Sequence, residues 1–156
     1  MRSERAVLVT GGGRRLGGVI ARRLGVAGWA MAIHCHDSRE EADALAEELM
    51  QAGGKAVVIE GDLADSAVAQ GLVDVAAAAL GMPLDGLVNN AAIFQPDDIL
   101  DISPMQLAAH HDVNLAAPML LSSAFARQAR GPDVASIVQI LDQKLANPNP
   151  DFPSYT

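Results

Sequence analysis

One feature constrains this chain more than any other: a glycine cluster between an apolar, β-branched run and a helical stretch. Residues 6–10 read Ala-Val-Leu-Val-Thr and residues 11–18 read Gly-Gly-Gly-Arg-Arg-Leu-Gly-Gly. A run that short and apolar is predicted to be a buried strand. Residues 16–26 then carry Leu16, Ile20 and Leu24 at helical spacing until Gly28 stops them. Between strand and helix the chain must turn sharply, and glycines there let backbone N–H groups approach an anion at the helix N-terminus. The plain alternative is a strand–helix connection with no ligand. Arg14 and Arg15 sharpen the choice. A cation at a helix N-terminus opposes the macrodipole at ~0.3–1 kcal/mol, and a bound anion reverses that sign. Two solvated surface arginines are the simpler reading of the same pair.

The alternation continues along the chain. Residues 29–34, 56–60, 86–89 and 137–141 read as strands, and residues 38–52 and 66–80 as helices. Ser38 is the N-cap candidate of the first of these, with Glu41 three residues on completing a capping box. A long helix is predicted over 104–130, interrupted near Pro118, and residues 147–153, with three prolines, read as an irregular loop. Strand–helix alternation means a parallel sheet with right-handed crossovers. The expectation is a single α/β domain over 1–156, doubly wound, with strand order 3-2-1-4-5. Ligands then sit at the carboxyl ends, near the switch between strands 1 and 4.

Composition narrows the class. Half of the residues are apolar but only 3% are aromatic, so the core must be built from Ala, Val, Leu and Ile. Small side chains of that kind suit helices laid closely on a sheet. A net charge of −8 argues against a nucleic-acid partner, which needs clustered Lys and Arg. The single cysteine, Cys35, rules out an intrachain disulfide and fits a reducing cytosol. With no h-region at the start and no run of ~18 apolar residues, the chain reads as a cytoplasmic domain away from membranes. Four histidines raise the question of a metal, but His34/His36 and His110/His111 lack an acid or thiolate constellation at ligand spacing, so none is expected.

Residues 10–17, Thr-Gly-Gly-Gly-Arg-Arg-Leu-Gly, resemble the Thr-Gly-x-x-x-Gly-x-Gly opening of the short-chain dehydrogenase/reductase family, a Rossmann-fold group. They match at Thr10, Gly11 and Gly17 and depart at Arg15, where most members have glycine. The departure itself resembles the pteridine reductase and dihydromonapterin reductase branch, where this arginine reaches cofactor phosphate and the pterin side of the pocket. The resemblance implies hydride transfer between NAD(P)H and a small molecule, with the cofactor held at Thr10, Gly11, Arg14, Arg15, Leu16 and Gly17. Asp62-Leu63 follows the third strand, where the family places an acid near the adenine; alone, Asp62 is an ordinary loop aspartate. Asn89-Asn90-Ala91-Ala92 resembles the family's Asn-Asn-Ala-Gly, which stabilises the central sheet, and implies nicotinamide-side contacts for Asn90 and Ala91. Asn114 matches the asparagine that holds the helix kink and a proton-relay water, and asparagine is otherwise a poor mid-helix residue.

Further positions resemble the pteridine reductase branch. Phe94, five residues after Asn89, matches a phenylalanine that stacks on the pterin ring; a core phenylalanine is the bland alternative. Asp142 stands thirteen residues before Tyr155, where the wider family has a serine and this branch an aspartate. By this resemblance Asn114, Asp142 and Tyr155 are the catalytic residues, and Arg15 and Phe94 touch substrate. His34, His36 and Ser38 resemble the His-x-His-x-Ser that holds the 2′-phosphate of NADPH. NAD enzymes place an acid at the position of Cys35, which cannot bind a ribose hydroxyl, so NADPH is expected over NADH; Asp37 is a discordant acid there. The lysine of Tyr-x-x-x-Lys would lie beyond Thr156, so residues 1–156 are expected to be part of a protein of about 250 residues, whether truncated, cleaved or partly ordered. The resemblance also implies a homo-oligomer. A carbonyl or alcohol dehydrogenase, and a non-catalytic dinucleotide-binding domain, are the rival readings.

Overall fold

The structure is a computed structural model that describes residues 5–128, 135–143, 146 and 151–155. Five parallel strands form one sheet in the order β3-β2-β1-β4-β5. They are β1 (Arg5–Val9), β2 (Trp29–Cys35), β3 (Ala56–Glu60), β4 (Gly86–Asn89) and β5 (Ser136–Gln139). Helices α1 (Arg15–Val26), α2 (Arg39–Gln51) and α3 (Ser66–Leu80) make the first three crossovers. The fourth is α4 (Pro104–His111), a π turn (Asp112–Ala116) and α5 (Ala117–Gln128). This is the Rossmann-like, doubly wound arrangement expected from the alternation.

Strand residues alternate between two cores because successive side chains leave opposite faces of a sheet. Ala6 and Leu8 of β1 point to one layer with Leu72, Leu80, Leu87, Leu121 and Phe125. Val7 and Val9 point to the other, with Met31, Ile33, Leu45 and Leu49 under α1 and α2. Both faces of β1 and β2 are therefore covered, as parallel strands require. Register is continuous across the centre, Val7 pairing with Met31 on one side and Gly86 on the other. Among the described residues no helix is long and apolar enough to cross a membrane.

Three local expectations need correction. The interruption expected near Pro118 is not a break but a π turn at Asp112–Ala116, just ahead of the proline, where the Ala117 N–H reaches back to the carbonyl of Asp112. Pro118 has no N–H to offer the Asn114 carbonyl, and its ring crowds that carbonyl; the widened turn falls just ahead of the proline. The capping box is not formed, since Ser38 is the N-cap residue of α2 yet makes no side-chain cap bond. Its side chain is pressed against Gly13, where an added Cβ would sit 2.9 Å from Ser38 Oγ. The fifth strand is Ser136–Gln139 rather than 137–141, because pairing with the four-residue β4 limits it. The expected loop residues 147–150, and the helix end at 129–130, lie outside the described residues.

Candidate functional site

Two neighbouring concavities open at the carboxyl ends of the central strands, the position where doubly wound sheets bind ligands. The larger, ≈ 380 Å³, is lined by the glycine loop, the end of β2 and residues 90–94. The smaller, ≈ 200 Å³, is lined by Asn89, Asn114, Asp142, Tyr155 and the residues after β5. Ala91 and Ala92 line both, so they form the shared wall.

The cleft is built around Thr10. Its hydroxyl accepts from the Asn90 and Ala91 N–H groups, each at 3.0 Å, and donates to the Val88 carbonyl. The Asn90 amide donates to the carbonyls of Thr10 and Gly11 at 2.9 and 3.2 Å. Thr10 is 1% exposed, and its side chain thus joins the loop after β1 to the loop after β4. Gly11 takes a left-handed φ of 59°, which glycine adopts without penalty. At Gly17 a Cβ would overlap the carbonyl oxygen of Gly11. That approach is the reason for a glycine on the first turn of α1.

The helix end itself is bare. Arg14 is the N-cap residue of α1 and makes no side-chain cap bond, and no acid lies in the first turn. Free N–H groups and two exposed arginines therefore face the cleft, a donor set suited to a phosphate. Arg15, at the position where most of the resembling family has glycine, adopts φ 49°. A side chain in that region costs roughly 1–2 kcal/mol. Leu16 also lines the cleft and is half exposed.

At the end of β2 the residues divide. Cys35 is fully buried in the core, and burial pushes its thiol up. His36 and Ser38 line the cleft, and so does Asp37, whose carboxylate lies 3.4 Å from His36 Nδ1. His34 also borders the cleft but does not join His36 as an exposed donor. Its ring is 1% exposed, and both nitrogens are taken by backbone groups, Nδ1 by the Gly11 N–H at 3.2 Å and Nε2 by the Gly61 carbonyl at 3.0 Å. Burial, the dominant cause, pushes its pKa down, against the smaller upward effect of the Gly61 carbonyl. Asp62 closes a local turn by accepting from the Ala64 N–H at 2.9 Å, and Leu63 packs into the core with Ala69 and Val73. Neither side chain lines the cleft.

The smaller pocket holds Asp142 and Tyr155. The Tyr155 hydroxyl donates to Asp142 Oδ2 at 3.2 Å. Burial, then the charge of Asp142, then that hydrogen bond push the phenol above its ordinary range. Asn114, in the π turn, pairs with the backbone of Ile93, accepting from its N–H and donating to its carbonyl, each at 2.9 Å. Asn89 is buried; its Nδ2 donates to Ser122 Oγ, while its Oδ1 has no partner among the described residues. Phe94 is not a core residue, being 53% exposed. One face stacks on Phe152 at 4.0 Å between centroids, and its ring meets Tyr155 edge-on at 4.8 Å.

The contacts with Phe152, the acceptance by Asp97 of the Ser154 N–H at 3.1 Å, and the lining residue Gln139 were not anticipated. Loop-to-loop contacts of this kind leave no periodic signal. Among the described residues no group of three or more His, Cys, Asp or Glu side chains is placed to hold a metal.

Known proteins share this arrangement. A sequence model of the family described as short chain dehydrogenase matches residues 5–156. The short chain dehydrogenase asqE of Emericella nidulans is 33% identical over 156 residues, covering 95% of this chain and 57% of that protein. The crystal structure of FolM alternative dihydrofolate reductase 1 from Brucella canis, complexed with NADP, superposes with a TM-score of 0.90 at 35% identity, over 100% of this chain and 61% of that one. A short chain dehydrogenase from Burkholderia cenocepacia J2315, also in complex with NADP, gives 0.89 at 35% identity, over 97% and 61%. The chain thus spans about half the length of the curated relatives it matches. On the match of family model, fold and loop chemistry together, the chain belongs to the short-chain dehydrogenase family.

Proposed function

We propose that this chain forms the NADPH-binding and proton-donating part of an oxidoreductase that reduces a flat heterocycle such as a dihydropterin. The single observation that carries the reading is the Tyr155–Asp142 pair facing a pocket that shares a wall with the glycine-loop cleft. The cleft fits a dinucleotide: Gly17 leaves space that any Cβ would fill, and α1 presents uncapped N–H groups beside Arg14 and Arg15. Thr10, Gly11 and Asn90 hold the loop, with Leu16 and Ala91 beside it, while His36 and Ser38 stand where a 2′-phosphate would lie. Asp62 and Leu63 are proposed to flank the adenine through the turn they form. Solved relatives carry NADP, which supports NADPH over NADH. When bound, the cofactor supplies the hydride.

The residues of this chain then do the rest. Tyr155 is the proton donor, held by Asp142; Asn114 fixes the backbone of Ile93 and thus the wall beside the donor. Arg15 and Phe94 contact substrate, and the likeness to FolM supports the pterin class. Phe152 covers one face of Phe94, so a planar substrate either uses the other face or displaces Phe152. That cover also favours a second reading, a smaller carbonyl substrate reaching Tyr155 directly. The phenol needs its pKa lowered toward working pH, and a lysine four residues after Tyr155 in the full-length protein is proposed to do it. The protein is further proposed to be cytoplasmic and homo-oligomeric.

The test is steady-state NADPH oxidation by the full-length protein with dihydropterin and with simple ketones. The pterin reading predicts turnover of dihydropterin, weakened by ~0.5–1.5 kcal/mol in binding for Phe94→Ala. Residues 1–156 alone are expected to turn over no substrate. Activity confined to ketones, with Phe94→Ala silent, would select the second reading.

A further inference from the structure

We infer that His34 is a positioning residue: a neutral, Nε2-protonated imidazole that ties the glycine loop to the turn after β3 and gives the ligand no hydrogen bond. The inference rests on reading the cleft as a dinucleotide site. Gly11 N–H can only donate, so the nitrogen facing it at 3.2 Å must carry a lone pair. A neutral ring then has its one proton on Nε2, which faces the Gly61 carbonyl at 3.0 Å. Both requirements select the same tautomer. Backbone bonds run alongside, from Gly12 N–H to the His34 carbonyl at 2.8 Å and from Gly61 N–H to the Cys35 carbonyl at 3.0 Å. The ring thus spans two loops across the end of β2, and at 1% exposure it has no free edge to offer a phosphate.

Gly11 has left the strand ladder with its φ of 59°, and the imidazole supplies the acceptor for its N–H. Removing that acceptor leaves a half-buried donor without its partner, beside the wall a Cβ at Gly17 would strike. Protonating the ring sets two donors against each other at the same place. Two other titratable groups act on it: His36, just past β2, disfavours the charged ring, and Asp62 after β3 favours it. The N-terminus of α1 brings the exposed cations Arg14 and Arg15 to the same cleft. Burial outweighs Asp62, so the neutral form is the one the fold selects.

Two measurements on the full-length protein test this. Nitrogen-15 spectra of the histidine rings should show His34 neutral and Nε2-protonated at pH about 6.5, the ordinary histidine midpoint, and titrating below it. An Nδ1-protonated ring, or an ordinary midpoint, overturns the proposal without reference to any cofactor. Calorimetric titration with NADP⁺ supplies the second readout. His34→Ala should bind about tenfold more weakly or worse. His34→Gln, whose amide offers one acceptor and one donor and does not titrate, should stay within about threefold of the parent. It should also lose part of the parent's weakening below pH about 6.5. Alanine binding as tightly as histidine, or glutamine as weakly as alanine, overturns the role. A parent protein that binds no NADP⁺ overturns the dinucleotide reading instead, while the ring spectra still decide the tautomer.

Discussion

Strands β1 and β5 belong to one parallel sheet and are both rich in β-branched residues, yet their surroundings differ completely. Residues 6–9 of β1 are at most 2% exposed, whereas all four residues of β5 are exposed, with Ile137 at 40% and Val138 at 47%. β1 has a paired strand on each side and a helical layer on each face; β5 pairs with β4 alone among the described residues. The two sites inherit that difference. The cleft at the end of β1 is held by buried and half-buried bonds from the side chains of Thr10, Asn90 and His34 to backbone groups. The pocket at the end of β5 is held by exposed or half-buried contacts, Tyr155 with Asp142, Phe94 with Phe152 and Asp97 with the Ser154 N–H. The geometry of the glycine-loop cleft is thus fixed by the packed centre of the sheet, and Tyr155, the proposed proton donor, by loops at its margin.

Substitutions can sharpen or break this contrast. The largest effect belongs to the central layers. Phe125→Ala, at 2% exposure, should lower unfolding free energy by about 3–5 kcal/mol in chemical denaturation. A loss below about 1 kcal/mol would mean the core under β1 and β4 is looser than its burial implies. Next comes Gly17→Val, whose Cβ would collide with the Gly11 carbonyl. About 1–3 kcal/mol of overpacking strain and loss of dinucleotide binding in calorimetry are expected; unchanged affinity would sink the glycine-loop assignment.

Arg15→Gly should separate stability from function within the same turn. Relief of the φ 49° conformation, offset by the entropy of glycine, is expected to raise stability by up to about 1 kcal/mol while dinucleotide affinity falls. A variant that gains stability and keeps its affinity would remove Arg15 from the site.

At the margin the expected effects are smaller. Tyr155 is the sole tyrosine of the chain, so the phenolate absorbance of residues 1–156 reports it alone. Its folded pKa lies above the ordinary 10.0, by burial first and Asp142 second. The folded state therefore keeps a proton that the unfolded state releases, and stability falls as pH rises past that value. Asp142→Asn should move the phenolate midpoint down and lessen the alkaline loss. An unmoved midpoint would show that the two groups do not meet in solution. The least effect is expected for Val138→Ala on β5, within about 1 kcal/mol in the same denaturation experiment as Phe125→Ala. A cost equal to that of the core variant would erase the contrast between the strands.

Much of the fold was legible because periodicity and punctuation agreed locally. Ala56–Glu60, Ser66–Leu80 and Gly86–Asn89 coincide with the spans read from apolar runs and their flanking breakers, and the strand order follows from alternation. Misses cluster where a tertiary contact overrides the local pattern. Ser38 looks like a capping serine but is pressed against Gly13, and the interruption near Pro118 is a π turn ahead of it rather than a break. In the site, motif spacing located the residues but not their attachments. His34 and His36 read as equivalent neighbours; β2 ends at Cys35, so the first is buried within the sheet against backbone and the second lies past the strand beside Asp37. Asp97 and Phe152 carried no signal, because their partners lie 57 or more residues away in sequence.

The central claim is that the β1 end of the sheet is a site for a phosphorylated dinucleotide, and calorimetric titration of the full-length protein with NADPH and NADH tests it most directly. The arginines at the start of α1, with His36 and Ser38 at the end of β2, predict measurable binding of both and tighter binding of NADPH. Tighter binding of NADH would show that Asp37 reaches the ribose and that the end of β2 is built for the other cofactor. Absence of binding to either would contradict the account altogether.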